Sequence, residues 1–486
     1  MSRDVTTYPM WIGGKPAMGS SNELIDSVDP ATGKVIARFP AGNATDVDDA
    51  VAAARDAFPE WARMDPGARG RALDALADLI DDHAEELAFL DVLDNGSPIR
   101  EMRNDAFAAS AQLRYYAGLV LQLRGHTVPT GQGRLNYSIR QPWGLVGRII
   151  PFNHPLMFAA SKIAAPLAAG NAVLIKPSEF TSLSALRLAE LSTAVLPPGV
   201  FNVVTGYGKE AGDALVAHPA VRRLAFIGSA ETGRSILRRA AEVNVKHVSL
   251  ELGGKNPLVV FPDANLDTVV DAAARGMNFT WQGQSCGSTS RLIAHQSVYD
   301  ELVERLGARL EEMVSGQPSE ESTDTGAIVS QPQLEKVLDY IRIGQEQGAR
   351  LVAGGRRAEG TGLETGRFVR PTLFADVEPT SRLAQEEIFG PVLAAMPFYD
   401  YDEAIRIAND VQYGLTASVF TRDLETAHRF AEDVEAGYVW VNDVSRHTPG
   451  TPFGGFKNSG LGREEDIEEL ESYTQTKNVH IRFAQD

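Results

Sequence analysis

The chain holds one cysteine in 486 residues, no surplus of basic charge, no unbroken apolar run of membrane-spanning length and no low-complexity tract. A single cysteine cannot close an internal disulfide, so its thiol is either packing or a reactive group, and without context packing is the commoner fate. A formal charge of −18, with the basic residues scattered, opposes a nucleic-acid backbone or an anionic membrane as partner. The most apolar stretch, Trp143 to Ile175, is interrupted by Arg148, Asn153, His154, Lys162 and Asn171 and by three prolines, and falls short of a spanning helix. The opening MSRDVTTYPMWIGG has no apolar core behind a basic flank, so no secretion signal is read there and a cytoplasmic protein is expected.

What is present is the composition of a globular protein, with 43% hydrophobic and 23% charged residues. Its length predicts two or three units with a cleft between them. From about Thr45 to Gln122 the apolar residues fall at helical spacing and predict three helices, Pro66 and Gly96 bracketing the second. From Gly144 the rhythm changes to short apolar runs (LVGRII, AVLIK, FNVV, RLAFI, KHVSL) separated by helical stretches at Leu156 to Ala169, Ser182 to Val195 and Glu231 to Ala241. That alternation predicts a parallel sheet wrapped by crossover helices. A second series (NPLVVF, SRLIAH, RLVAGG, VLAAMPF, ASVFT, YVWV) predicts a second α/β unit. The segments from about Arg124 to Pro142 and from about Glu471 to Phe483 read as extended strands able to pair with another subunit.

The sequence GQSCG around Cys286 sets a small residue on each side of the thiol. It is accompanied by PFNHP at 151–155, KPSE at 176–179, FIGSAETGR at 226–234, ELGGK at 251–255, EEIFGPV at 386–392 and PFGGFKNSGLGRE at 452–464. In that order these motifs closely resemble the aldehyde dehydrogenase superfamily, in particular its hydrolytic branch, from about Trp11 to Val479. The resemblance implies an α/β fold in three parts. They are a Rossmann-like NAD domain (1–123 and 143–254), a catalytic domain (255–470) and a small flap of oligomerisation strands (124–142 and 471–486).

The chemistry can be reasoned independently. Hydride leaves an aldehyde poorly, so a nucleophile must first add to the carbonyl and create an oxyanion that expels it. A cysteine thiolate suits this task, because the thioester left behind is open to attack by water. Asn153, by local sequence, serves equally as a helix cap or as an amide donor to an oxyanion; the resemblance implies the second. It also implies that Glu251 activates water, that release is therefore to a free carboxylic acid, and that Glu464 is a second carboxylate assisting proton transfer. The dinucleotide is implied to lie over Gly228, Ser229 and Gly233, whose GxxxxG spacing between strand and helix differs from the GxGxxG fingerprint. Lys176 and Glu179 are implied to hold the adenine ribose, Glu387 the nicotinamide ribose, and Phe389 to pack on the nicotinamide. A carboxylate at Glu179 would repel a 2′-phosphate, so NAD is expected over NADP. No metal is expected.

The sequence also departs from that family. The position after Asn153 is commonly aromatic there and is His154 here, read first as a satisfied buried histidine and second as a substrate contact. Trp281 lies in a stretch one residue longer than in many members, and Arg446, His447 and Phe453 fall near where the family's aldehyde tunnel opens. A cation there would favour a polar, anionic or aromatic aldehyde; semialdehyde and amino-aldehyde substrates also stay open. Gln475 replaces a glutamate that links subunits in some members, while assembly into a homodimer or homotetramer is still implied. Two other readings stand beside the oxidoreductase: a thiol hydrolase using Cys286 with one of nine histidines, and a catalytically silent relative of the fold.

Overall fold

A computed structural model describes residues 5–483, so the outermost ends of the expected segments 1–123 and 471–486 lie outside the described residues. The five apolar runs after Gly144 form the parallel centre of an eight-stranded sheet. Its order is Gly460–Leu461, His247–Leu252, Arg223–Gly228, Leu145–Ile149, Ala172–Lys176, Phe201–Val203, Met10–Ile12 and Lys15–Ala17. The chain runs outward from Leu145–Ile149 through Ala172–Lys176 to Phe201–Val203, then returns to lay Arg223–Gly228 on the other side of the starting strand. The strand order therefore reverses between Leu145–Ile149 and Arg223–Gly228, and a crevice opens beyond the carboxyl ends of strands at such a reversal. Asn153 and Ser229 follow those two strands, which is why residues far apart in sequence face one crevice.

The second series forms a seven-stranded sheet in the order Arg350–Ala353, Thr372–Ala375, Val392–Phe398, Arg291–His295, Pro257–Val260, Thr416–Phe420 and Tyr438–Val441. All neighbours are parallel except the first pair. The strand Thr372–Ala375 was not anticipated, being four residues long with no polar alternation to mark it. The three helices expected between Thr45 and Gln122 are four: Ala44–Arg63, Pro66–Asp82, Ala84–Asn95 and Ile99–Leu119. One residue, His83, joins the second and third, so the apolar period runs on through a break that the sequence does not announce. A small sheet of Thr6–Thr7, Val35–Pro40 and Leu24–Val28 was also unanticipated.

The helix Pro155–Ala168 is buried on every face, packed against Ile99–Leu119 and Leu183–Ser192. A helix apolar all round belongs in an interior, and the one lysine on it, Lys162, must find a counter-charge. It meets Glu464 at 2.9 Å. Arg148, wholly buried in the central strand Leu145–Ile149, reaches Glu464 at 2.7 Å and Glu469 at 2.6 Å, with its guanidinium 5.4 Å from the Tyr473 ring centre. These contacts dock the chain from Gly460 to Tyr473 onto the first sheet, where Gly460–Leu461 pairs with His247–Leu252.

The extended segments pair with one another: Arg134–Pro142 and Thr474–Arg482 run antiparallel over nine residues, and Thr127–Val128 adds a third strand. Among the described residues no helix is long and apolar enough to cross a membrane.

Candidate active site

Cys286 stands where two cavities meet. The larger, about 1100 Å³, is walled by His154, Phe158, Lys162, Trp281, Phe453 and Glu465, with Arg446 and His447 towards its exposed side. The smaller, about 170 Å³, is lined by Asn153, Gly228, Ser229, Glu251, Glu387 and Phe389. Gly287, next to the thiol, faces open space, so the small neighbour expected on that side does leave the sulfur approachable.

The loop carrying the thiol is held from behind by Asn256. Its side-chain amide donates to the backbone carbonyls of Cys286 at 2.8 Å and Ser288 at 2.9 Å, and its oxygen accepts from Thr416 N–H at 3.1 Å. Upstream, Asn278 and Gln282 take left-handed backbone conformations (φ 53° and 54°) around the single turn Phe279–Trp281. Such conformations in non-glycine residues persist only where the surroundings impose them. Here Ser97 Oγ donates to the Gln282 side chain at 3.0 Å, and Asn278 donates to Ser288 Oγ at 3.3 Å. Ser459 ties the other side: its hydroxyl donates to Gly253 C=O at 2.7 Å and accepts from Gly414 N–H at 2.9 Å.

Electrostatics at the junction are dominated by buried carboxylates. Both oxygens of Glu251 are buried without a hydrogen-bond partner among the described residues. Burial first, and the nearby Glu464 anion second, push its carboxyl well above the usual range, with Lys162 opposing. Burial also pushes Glu464 up, but Arg148 and Lys162 outweigh it and hold that carboxyl down to about 2. Burial, with Glu251 and Glu387 nearby, pushes the Cys286 thiol up to about 12. The thiol therefore rests protonated and Glu464 keeps its charge, while Glu251 holds its proton to higher pH than an ordinary carboxyl.

The smaller cavity offers a fit for a dinucleotide end. Glu387, raised by burial, accepts from Gly254 N–H at 3.0 Å. Gly253 lies against it so closely that a Cβ there would overlap the carboxylate. Phe389 is held at φ 57°, with its carbonyl accepting from Gln333 at 2.7 Å and its ring edge-on to Phe152 at 5.6 Å. Ser229 caps the helix Ala230–Val243 by accepting from Thr232 N–H at 3.2 Å, which turns the helix N-terminus towards the crevice. Gly233 does not line the cavity; a Cβ there would press on Leu252, so its bareness seats the helix against the sheet. Lys176 and Glu179, 3.4 Å apart where the strand Ala172–Lys176 ends, lie outside the inner cavity.

His154 meets Asp105 at 2.8 Å and His447 meets Glu465 at 3.1 Å. Trp440 donates to Arg446 C=O at 2.9 Å, fixing that loop, and Arg446 makes no ion pair among the described residues. The expected residues thus fall around the two cavities, apart from Glu464, Gly233, Lys176 and Glu179; Glu464 lies behind the wall in the buried cluster with Arg148 and Lys162. Asn256, Lys162, Asp105 and Glu465 were missed. Asn256 directly follows ELGGK and could have been read with it, whereas Asp105 sits mid-helix in no motif.

The chain matches the model of the aldehyde dehydrogenase family over residues 17–479. It is 46% identical to aldehyde dehydrogenase tropH of Talaromyces stipitatus, covering 98% of this chain and 94% of that one. Among solved structures it is similar to PnpE in complex with nicotinamide adenine dinucleotide, PnpE having also been solved from Pseudomonas sp. WBC-3. That similarity has a TM-score of 0.96 at 42% identity, over 99% of this chain and 98% of that one. An NAD⁺ complex of aldehyde dehydrogenase from Bacillus cereus matches with a TM-score of 0.95 at 40% identity, over 98% and 97%.

The packing of Gly253 gives a direct test of the smaller cavity. Gly253→Ala is expected to displace Glu387 and weaken NAD binding at least about tenfold, ~1.4 kcal/mol, by titration of tryptophan fluorescence. An unchanged dissociation constant would mean that Glu387 is not part of the cofactor site.

Proposed function

The chain belongs to the aldehyde dehydrogenase family and oxidises an aldehyde with NAD; from that premise we propose that Cys286 is the nucleophile, Asn153 the oxyanion donor and Glu251 the base. The observation that carries this reading is the thiol's place at the meeting of the two cavities. An aldehyde in the larger cavity and a dinucleotide end in the smaller one would both border the thiol.

The steps follow from the groups present. Glu251, once ionised, takes the proton from Cys286, and the thiolate adds to the aldehyde carbon. The carbonyl oxygen gains charge and would be met by the Asn153 amide and the Cys286 backbone N–H, a reading supported by Asn153 lining the same cavity as Cys286. When bound, the nicotinamide supplies the two-electron acceptor for the hydrogen on that carbon. Glu251, having passed the thiol's proton on to solvent, takes a proton from water as that water attacks the Cys286 thioester; the carbon–sulfur bond breaks, the carboxylic acid leaves, and the proton returns from Glu251 to the sulfur. Because the Glu251 carboxyl titrates well above the usual carboxylate range, the fraction in basic form grows with pH over a correspondingly higher window, and hydrolysis should quicken across it. Glu464, held near 2, keeps its charge throughout; we assign it to raising the basicity of Glu251.

The dinucleotide is proposed to run from Glu387 and Phe389 past Gly228 and Ser229 to Lys176 and Glu179. The Glu179 carboxylate would disfavour the 2′-phosphate of NADP. We read 1–123 with 143–254 as the NAD-binding unit and 255–470 as the catalytic unit. Thr474–Arg482 leaves one long edge of its three-stranded sheet free, which supports pairing with a second copy into a homodimer or homotetramer. The lone cysteine suits the reducing cytoplasm. A thiol hydrolase is less well supported, since no histidine is hydrogen-bonded to Cys286 among the described residues, and the full set of Cys286, Asn153 and Glu251 speaks against a silent relative. Arg446, unpaired at the chamber's exposed side, favours an anionic, polar or aromatic aldehyde.

Two variants test these assignments in one assay of NADH formation over a panel of aldehydes. Cys286→Ala should form no NADH while still binding NAD, and continued oxidation would refute the nucleophile. Arg446→Ala should lower kcat/KM for carboxylated aldehydes relative to neutral ones; an unchanged ranking would remove Arg446 from substrate selection.

A further inference from the structure

His154 is satisfied on one side only. Its Nδ1 lies 2.8 Å from Asp105 Oδ2, on the helix Ile99–Leu119, and that carboxylate is itself 95% shielded, with 5% of its side-chain surface left. The imidazole ring is wedged between Trp281, tilted at 5.5 Å, and Phe158, edge-on at 5.5 Å. Its other nitrogen, Nε2, has no hydrogen-bond partner among the described residues, and the side chain keeps 12% of its surface exposed in the wall of the chamber that Cys286 shares. A carboxylate on one nitrogen fixes what the other presents: with Nδ1–H given to Asp105, Nε2 of the neutral ring turns an acceptor lone pair into the chamber. His154 directly follows Asn153 in the chain, and its ring lines the same chamber as Cys286.

We propose that His154, oriented by Asp105, is a specificity-determining residue that receives a hydroxyl group on a ring-bearing or conjugated aldehyde, with Trp281 and Phe158 flanking the unsaturated part. This rests on the aldehyde-oxidising reading of Cys286 and deepens it. An aldehyde without the hydroxyl leaves Nε2 facing a desolvated substrate with nothing to accept, and sites built around a substrate hydroxyl discriminate strongly against analogues that lack it. An O-methyl analogue fills the same space but has no proton to give.

The test compares kcat/KM for ortho-, meta- and para-hydroxybenzaldehyde with that for benzaldehyde and for the matching methoxybenzaldehydes, following NADH. The wild-type protein is expected to prefer at least one hydroxylated isomer over both its parent and its methyl ether by about tenfold or more. His154→Phe keeps a ring between Trp281 and Phe158, and should bring that ratio to about one whatever happens to the absolute rates. Asp105→Ala frees the imidazole from its tautomer and should cut the same ratio several-fold, which decides the matter if the phenylalanine variant does not fold. A wild-type ratio near one, or a ratio that survives both substitutions, overturns the proposal while leaving aldehyde oxidation intact. Absence of NADH with every aldehyde in the panel would instead remove the reaction reading, and the proposal with it.

Discussion

Arg148 and Lys162 are cations that cannot leave the protein interior, and the chemistry of this chain depends on what they hold. Both meet Glu464, and Arg148 also meets Glu469, which accepts from Tyr116 at 2.6 Å. Removing one partner from such a buried network costs about 3–5 kcal/mol, because it strands the other charge, so the arrangement is fixed. Glu464 is then an anion set beside Glu251, which makes no ion pair among the described residues and on which Lys162 acts less than burial and Glu464 do. Its field adds to burial in making Glu251 hold its proton more tightly than an ordinary carboxyl. The same ties anchor the chain after Gly460, whose short strand pairs with His247–Leu252 opposite Glu251 and so fixes where that carboxylate stands.

Position is supplied separately from charge. The reversal of strand order in the first sheet opens the crevice that Asn153 and Ser229 face, while Asn256 and Ser459 stitch the loops of the second sheet to its edge. Three of the nine non-glycine residues with left-handed backbone among the described residues, Asn278, Gln282 and Phe389, lie next to the thiol or the smaller cavity. Backbone held this way costs of order 1–3 kcal/mol per residue and needs rigid support. Asn256 and Gln333 provide it by bonding to the carbonyls of Cys286 and Phe389.

The parallel strands were legible because each is a short β-branched run between helical stretches, and the site residues because they sit in glycine-rich motifs whose spacing survives in sequence. What stayed hidden was set by tertiary contact. His83 breaks a helix without interrupting its apolar period, and Thr372–Ala375 is too short to show one. Gly233 belongs to a recognisable motif yet acts by close packing on Leu252. Asp105 is one polar residue on a helix, and only folding brings it to His154, forty-nine positions later. Charge was the least legible property: nothing local distinguishes Glu464, held low by two cations, from Glu251, pushed high by burial and the neighbouring anion.

The account's central claim is that an acyl group rests on Cys286 until Glu251 activates the water that releases it. Glu251→Gln mixed with NAD and benzaldehyde, then denatured and measured by intact and peptide mass spectrometry, tests it most directly. The expected result is a burst of about one NADH per subunit together with a benzoyl adduct on the peptide carrying Cys286. Steady turnover at the wild-type rate with no adduct, or an adduct on any other residue, would contradict it.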